Sequence, residues 1–411
     1  MEKLAIFGGT PVRTTPFTKG KRFGKEELKE VEEALNQNTL FYWFGNKVKK
    51  LNEDFSKLYS RNYCVATSSG TAAIHAALSA VGVTEGDEVI TSPITDFGTI
   101  IGILFQNAIP VFADVDINTC NLDPKSVREK ITDRTKAIIV VHLAGNPADA
   151  EEFQKIGREY NIKIIEDCAQ CYCAYIGDKM AGQFSDISCF SLNDFKHISA
   201  GDGGMLLTDD KELYERAHKF VDKNYDRFGT SVSRRIDSLG INYRMNELTA
   251  AVGIAQIKKL DFICSSRNKN GVRLTEGIKD IKGLYPPYVK PGNKSSYWFY
   301  LMRIDEEEFG ASVKEIVDAL SAEGIPAQIG YIPECIYEYD LFKELSAYPS
   351  THAPFDSKYY TGTTDYRTGL CPVAEKLLKT TIRVGITEFM TDEDIDDIIY
   401  AIKKIANHYN K

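Results

Sequence analysis

Four short stretches of the sequence contain residues whose types and order can support chemistry. The first, Thr-Ser-Ser-Gly-Thr at 67–71, lies between a β-rich run and an Ala-rich helical pattern. Free backbone N–H groups and the positive end of a helix at such a place can bind a phosphate. A Ser/Thr/Gly run before a helix is also an ordinary N-cap, so this stretch alone leaves both interpretations open.

The second stretch, Ile-Ile-Glu-Asp at 164–167, places two acids at the end of an apolar run. Ligands of α/β sheets bind beyond the carboxyl ends of the strands, so an acid there can pair with a cofactor nitrogen or a metal. An N-cap or turn acid is the alternative interpretation.

The third and fourth stretches flank a lysine. Phe-Ser-Leu-Asn-Asp-Phe-Lys at 190–196 reads as a strand that runs into a loop, and Gly-Asp-Gly-Gly follows at 201–204. Glycines permit tight turns and close approach to a ligand. A lysine whose pKa is lowered by desolvation or a cationic neighbour forms Schiff bases with carbonyls. Taken singly, a lysine such as Lys196 is far more often a solvated surface residue.

The combination of these stretches is more informative than any one of them. A phosphate-binding loop, a strand-end Asp and a loop Lys are the three parts that a pyridoxal 5′-phosphate site requires. The phosphate anchors the cofactor, the Asp keeps the pyridine nitrogen protonated, and the Lys attaches the cofactor covalently.

A scaffold for these residues is visible between residues 60 and 210, where short β-rich runs alternate with helical patterns. Most runs are almost continuously apolar, as strands covered on both faces should be. The alternation predicts a mostly parallel sheet flanked by helices. The predicted strands are 63–67, 88–92, 109–115, 137–143, 162–166, 187–192 and 205–208, and the predicted helices between them are 71–81, 97–107 and 149–160.

The remaining sequence indicates two domains. Two amphipathic helices precede the alternating block, and a long helix is predicted over 246–260. Strand and helix patterns then mix, and a final helix begins with a capping box at Thr391 and Asp394. We therefore expect a large α/β domain with an N-terminal arm over 1–261 and a smaller α/β domain over 262–411. The stretch 346–368 is predicted to be a long loop.

Composition excludes several classes of protein. The chain has 43% hydrophobic and 26% charged residues, which is typical of a globular protein. Its formal net charge is −8, and the charges are spread along the chain, which does not indicate binding to nucleic acid. No apolar run approaches the length needed to span a membrane, and the first residues do not form a secretory signal, so a cytoplasmic protein is expected.

The nine cysteines do not indicate a disulfide framework, since their number is odd and the chain is long. Cys168, Cys171 and Cys173 are close in sequence, but no second ligand pair at matching spacing accompanies them. We expect reduced thiols and no metal site.

The order of the motifs resembles the DegT/DnrJ/EryC1/StrS family of sugar aminotransferases, over nearly the whole chain. The similar segments include Ser-Gly-Thr-Ala-Ala from 69, Glu-Asp-Cys-Ala-Gln from 166, Gly-Asp-Gly-Gly-Met from 201 and Gly-Ile-Asn-Tyr-Arg-Met-Asn-Glu from 240. The resemblance implies the fold-type-I, aspartate-aminotransferase-like architecture. It also implies transfer of an amino group from L-glutamate or L-glutamine to a keto-sugar by a ping-pong reaction on pyridoxal 5′-phosphate. A nucleotide-linked sugar is the acceptor that the resemblance favours.

The same resemblance assigns roles to individual residues. Lys196 matches the catalytic Schiff-base lysine, and Asp167 matches the partner of the pyridine nitrogen. Asn242 matches a residue that reaches the phosphate bound by the neighbouring subunit, which implies a homodimer with shared active sites. The other matched cofactor-binding residues are Gly70, Thr71, Ala72, Gln170 and Ser191.

Two segments depart from the family pattern. Relatives usually carry a ring-stacking aromatic where an ungapped alignment places Asp96, so either Phe97 takes this role or the ring is covered differently. The residues before the lysine, 193–195, also differ, and they lie where substrate specificity is set. The sequence therefore does not identify the keto substrate or the donor.

Other functions remain open on the sequence alone. The acceptor could be a cyclitol ketone or an aminoshikimate-type compound. A sugar 3-dehydratase of the same fold would carry histidine in place of Lys196. A non-catalytic pyridoxal-phosphate-binding regulator would be expected to have an appended DNA-binding or basic segment, or to lack Lys196 or Asp167.

Overall fold

A computed structural model describes residues 2–228, 232 and 236–410. The strands are β1 (Tyr63–Thr67), β2 (Glu88–Thr91), β3 (Ile109–Phe112), β4 (Thr135–Val141), β5 (Lys163–Asp167), β6 (Tyr175–Ile176), β7 (Lys179–Met180), β8 (Ile187–Ser191), β9 (Gly204–Thr208), β10 (Leu284–Tyr285), β11 (Tyr300–Ile304), β12 (Ala327–Ile329) and β13 (Thr381–Val384).

The α-helices of these residues lie mostly between the strands. They are α1 (Lys25–Asn36), α2 (Lys47–Leu58), α3 (Gly70–Ala80), α4 (Gly98–Phe105), α5 (Pro124–Lys130), α6 (Ala150–Tyr160), α7 (Lys211–Val221), α8 (Glu247–Ile257), α9 (Leu260–Ile278), α10 (Glu306–Phe309), α11 (Val313–Ala322), α12 (Asp340–Lys343), α13 (Pro372–Thr380) and α14 (Asp392–Tyr409).

The large sheet has the strand order β1-β9-β8-β5-β4-β2-β3. Only β9 among its described strands runs against its neighbours, because it is antiparallel to both β1 and β8. Successive side chains of β4 enter different cores: Ala137 and Ile139 pack on the side of α3 and α7, and Ile138 and Val140 pack on the side of α6. This two-sided burial confirms the predicted mostly parallel sheet flanked by helices.

The smaller sheet, β10-β11-β13-β12, is antiparallel throughout its described pairs. One of its faces forms a core with α9, α11 and α14. The opposite face carries Phe299 and Leu301 into a second core, where they meet Phe112 and Ile94 of the large domain. The small sheet therefore packs directly against the strand edge of the large domain.

The N-terminal arm and α9 connect the two cores. Leu4 is fully buried in the core of the small sheet, and Arg13 forms an ion pair of 2.8 Å with Asp394 at the start of α14. The first turn of α9 packs in the large core through Leu260, whereas Leu274 packs in the small one. The boundary at residue 261 stays a prediction, and it falls in the first turn of this shared helix.

No helix among the described residues is long and apolar enough to cross a membrane. Residues 346–368 contain no regular helix or strand longer than an isolated bridge, in agreement with their turn-rich composition.

Candidate active site

The predicted site residues follow strands whose carboxyl ends share one edge of the large sheet. Thr67 ends β1, Asp167 ends β5 and Ser191 ends β8, and these three strands are parallel. Lys196 follows Ser191 in a loop. The side chains that can do chemistry therefore converge at one edge, where α/β sheets bind their ligands.

The first turn of α3 forms the predicted phosphate-binding loop. Ser69 is the N-cap, and its hydroxyl accepts a hydrogen bond of 3.0 Å from the Ala72 amide. The Gly70 and Thr71 amides have no acceptor among the described residues, so they remain available to an anion at the positive end of the helix. The N-cap and phosphate-binding interpretations of this stretch are compatible, because different amides serve them.

Gly70 is required by close packing. A β-carbon at this position would lie 2.7 Å from the β-carbon of Ser191. The Ser191 hydroxyl accepts a weak 3.3 Å hydrogen bond from the Asn193 amide, which leaves its own proton free to donate. The free amides at the start of α3 and the Ser191 hydroxyl thus form a small cradle of hydrogen-bond donors.

Asp167 is held by two donors in a buried position. Its side chain accepts 2.8 Å and 3.0 Å hydrogen bonds, from the Thr99 hydroxyl and the Ala169 amide respectively. Burial raises the pKa of the Asp167 carboxyl, and these hydrogen bonds and the nearby Lys196 oppose that change. A cationic ring nitrogen beside this carboxylate would favour its charged form.

The preceding acid, Glu166, faces the other side of the sheet because strand side chains alternate. It accepts hydrogen bonds from His142, Ser185 and the Gly182 amide. Burial acts to raise the pKa of Glu166, but these hydrogen bonds outweigh it and the pKa is lowered. Glu166 is therefore a structural acid, and only Asp167 is directed at the lysine.

The Lys196 amine lies 3.9 Å from the centre of the Trp298 ring. Burial lowers the pKa of this amine because the ammonium form loses hydration, and the carboxylates of Asp167 and Asp96 oppose the change. A lowered pKa increases the fraction of free amine, which is the form that attacks a carbonyl.

Gln170, three residues after Asp167, is almost completely buried. Its side-chain oxygen accepts a 2.9 Å hydrogen bond from the Ala144 amide, and its nitrogen donates over 3.2 Å to the Tyr331 hydroxyl. Burial raises the pKa of Tyr331, so this phenol stays protonated. Gln170 thus connects the large domain to Tyr331 of the small one.

Asn242 is exposed and has no contact with Lys196 or Asp167 within the described chain. Its neighbour Tyr243 accepts a 2.7 Å hydrogen bond from the Ser68 amide, so the segment runs beside the loop that precedes Gly70. Arg244 forms a 2.6 Å ion pair with the buried Asp222. These contacts fix the segment and leave the Asn242 side chain facing outward.

Asp96 and Phe97 both lie near the site. The exposed Asp96 accepts a 2.8 Å hydrogen bond from the Gly98 amide at the start of α4. The Phe97 ring centre is 6.5 Å from that of Tyr339 in the small domain. These contacts assign ring stacking to neither residue.

The cysteines are free thiols, and most are buried. Cys168 lies beside His142 and Glu166, a grouping with enough ligand atoms for a metal ion. Both ring nitrogens of His142 are already used, because one accepts from the Ala148 amide and the other bonds Glu166. Burial raises the pKa of the Cys168 thiol well above its ordinary value, which disfavours the thiolate that a metal requires.

Several residues of the site were not found from the sequence. For Thr99 the sequence held a weak signal, its spacing of four residues from Thr95. In the structure the hydroxyls of these two residues are 2.7 Å apart. Trp298 and Tyr331 carried none, because their proximity to Lys196 and Gln170 depends on how the small domain packs.

The fold and the site define an α/β protein with a lysine near a buried aspartate and a helix start with free amides at one sheet edge. Comparison with known proteins identifies the family. Residues 21–403 match the model of the DegT/DnrJ/EryC1/StrS aminotransferase family, and the chain belongs to that family.

Relatives agree over almost the full length. The chain is 31% identical over 391 residues to a spore coat polysaccharide biosynthesis protein, SpsC, of Bacillus subtilis (strain 168), covering 93% of this chain and 95% of that protein. It is also 31% identical over 426 residues to an L-glutamine:2-deoxy-scyllo-inosose aminotransferase of Micromonospora echinospora, covering 99% of each.

A solved aminotransferase from Psychrobacter cryohalolentis superposes with a TM-score of 0.85 at 25% identity, over 96% of this chain and 100% of that one. The predicted family, fold and aminotransferase activity are confirmed by these similarities.

Proposed function

We propose that the chain is a pyridoxal-phosphate-dependent aminotransferase that moves an amino group from L-glutamate or L-glutamine to a keto-sugar. The observation that carries this proposal is the convergence of Lys196, Asp167 and the donor cradle at Gly70 and Ser191 on one sheet edge. The cofactor would supply an electron sink for the carbon that loses or gains the amino group.

The residues present fit this cofactor. The free amides of Gly70 and Thr71 and the Ser191 hydroxyl would bind its phosphate, with Ala72 in the same helical turn. Asp167 would hold the proton on the ring nitrogen, and Gln170 would lie beside the ring. The Lys196 amine would attach the cofactor and then carry a proton to and from the substrate carbon.

Two relatives' names support this choice of acceptor class: one names polysaccharide biosynthesis, and the other names an inosose, which is a cyclitol ketone. A keto-sugar, nucleotide-linked before the reaction, is the acceptor we favour, and a cyclitol ketone is the second candidate. Lys196 argues against the sugar 3-dehydratase, and the paired Lys196 and Asp167 argue against a regulator that only binds the cofactor.

We also propose a homodimer in which Asn242 of each chain completes the phosphate site of the other. Asn242 faces outward, and exposed apolar side chains surround its segment. In the single chain, Leu239 is 89% exposed and Phe44 is 75% exposed. Exposed apolar side chains of this kind favour a partner that covers them. The Leu40 carbonyl accepts a hydrogen bond from the Glu247 amide. This bond connects the segment that carries Phe44 to the segment that carries Asn242.

The absorption spectrum of the purified protein tests this function. We expect a yellow band from cofactor bound through Lys196, which L-glutamate or L-glutamine converts to near-ultraviolet absorption. Lys196→Ala should lose both the band and turnover, and Lys211→Ala, a change of an exposed lysine on α7, should lose neither. Undiminished turnover in Lys196→Ala would contradict the assignment.

A further inference from the structure

The loop that carries Lys196 is held by an arginine from the N-terminal arm. One terminal nitrogen of Arg22 donates a 2.5 Å hydrogen bond to the Asp194 carbonyl. The other donates to the Lys196 carbonyl over 2.5 Å and to the His197 carbonyl over 2.8 Å. A single guanidinium therefore binds three carbonyls, and the lysine's own carbonyl is among them.

The carbonyl omitted by Arg22 is taken by Trp298. Its indole nitrogen donates a 2.7 Å hydrogen bond to the Phe195 carbonyl, and its ring face contacts the Lys196 amine. The carbonyls of residues 194–197 are thus all held by side chains from distant parts of the chain. Because this segment lies outside regular helix or strand, no backbone ladder could hold it instead.

Arg22 is itself fixed from two sides. Its backbone carbonyl accepts 3.0 Å hydrogen bonds from the side chains of Gln256 and Lys259. Its side chain lies 4.0 Å from the buried carboxylate of Glu388, which also binds Arg267 at 2.7 Å.

Arg267 extends this arrangement to the tryptophan, since it donates a 3.0 Å hydrogen bond to the Trp298 carbonyl. The two residues whose side chains hold the lysine loop are therefore joined through Glu388 and Arg267, which reaches the backbone of Trp298. The planar fork of arginine suits this geometry, since it offers several donors in fixed directions, whereas lysine offers one charged centre.

We propose that Arg22 is a positioning residue that sets the direction of the Lys196 side chain. This inference rests on the proposed function, in which the Lys196 amine must reach both the cofactor and the substrate carbon. The amine stands at the end of a flexible four-carbon stem, so rotation of the Lys196 peptide would displace it. Fixing the carbonyls of residues 194–197 fixes the root of that stem.

The test compares Arg22→Ala and Arg22→Lys with Arg13→Ala. Arg13 belongs to the same arm and binds Asp394 and Asp397, but it has no contact with the lysine loop. Its replacement therefore reports what loosening the arm does by itself. Arg22→Lys keeps the charge and removes the fork, so it remains informative if Arg22→Ala fails to fold.

Three measurements on the holoenzymes separate positioning from stability. In Arg22→Ala we expect kcat to fall about tenfold to a hundredfold, as displaced catalytic groups do, while KM for the amino donor stays nearly unchanged. The pH midpoint of the visible cofactor band should shift. Arg22→Lys should recover only part of the wild-type kcat and pH midpoint. Arg13→Ala should keep the wild-type kcat and pH midpoint, even if its melting temperature falls as much as that of Arg22→Ala.

Wild-type kcat and an unshifted midpoint in Arg22→Lys would overturn the proposal, and so would equal losses in Arg13→Ala and Arg22→Ala. Failure of the proposed function would look different, since the wild-type chain would then lack the band and the turnover. Acetic anhydride labelling of cofactor-free protein covers that case: the pH profile of Lys196 labelling should change in Arg22→Lys and not in Arg13→Ala, and an unchanged profile would overturn the proposal.

Discussion

At the scale of single residues, the site depends on two neighbouring acids that the strand directs to opposite faces. The hydrogen-bonding capacity of Glu166 is taken up by His142, Ser185 and backbone amides on that face of the sheet. Asp167 is left to the lysine side, where burial raises its pKa. One step along β5 thus separates an acid with structural partners from the acid that we propose for the reaction.

Asp167→Asn tests the functional acid without changing its shape. We expect kcat to fall by more than tenfold, which is about 1.4 kcal/mol of barrier, because a neutral amide cannot hold a proton on the ring nitrogen. Steady-state rates measure this loss, and Asp178→Asn, a change of an exposed turn acid, provides the control. A loss smaller than tenfold would argue against the role of Asp167.

The same substitution has a pH-dependent effect on folding. A carboxyl whose folded pKa is raised stabilises the fold below its unfolded pKa of 3.8, and that contribution is lost as the pH rises through the folded value. At neutral pH the cofactor-free Asp167→Asn protein should therefore melt no lower than the wild type. A clear decrease in its melting temperature would show that the charged carboxylate stabilises the fold.

At the scale of elements, the start of α3 must approach the end of β8 closely. Gly70→Ala would place a methyl group 2.7 Å from the Ser191 β-carbon, and overpacking of this kind costs about 1–3 kcal/mol. We expect weaker cofactor binding in titrations of the cofactor-free protein. Gly385→Ala, where nothing lies within 4 Å of the new methyl group, should bind normally; equal affinities would refute the close cradle.

Much of this architecture was predictable, because local patterns determine it. The apolar runs of the large sheet identify its strands to within a few residues, and the run over 187–192 corresponds to β8 (Ile187–Ser191). The predicted helix over 246–260 is wrong at its end, since α8 stops at Ile257 and α9 begins at Leu260. No glycine or proline marks that break, which tertiary packing imposes.

The candidate site divides in the same way. Lys196, Asp167 and Gly70 lie at or shortly after the ends of parallel strands, so the sheet was enough to bring them to one edge. Arg22 and Trp298 reach the lysine loop from 174 and 103 residues away, measured to the residues whose carbonyls they bind. Such contacts depend on how the arm and the small domain pack, which no local pattern records.

At the scale of the whole molecule, the proposed homodimer would need two chains for one site, because Asn242 of each chain would complete the phosphate site of the other. Mixing the inactive Lys196→Ala and Asn242→Ala proteins should restore activity, because one site of each hybrid dimer has both wild-type residues. With random exchange, about a quarter of the sites should be complete. Assays of the mixture measure this recovery, and each variant alone is the control. No recovery after proven subunit exchange would count against shared sites.

The contact between Trp298 and the Lys196 amine has an optical consequence. The chain has two tryptophans, and the other, Trp43, lies beside His218 and Arg227. Indole emission overlaps the absorption of a pyridoxal chromophore, so energy passes efficiently from a ring in contact with the attachment point. In the proposed holoenzyme, the fluorescence of Trp298 would therefore report how much cofactor is bound at Lys196.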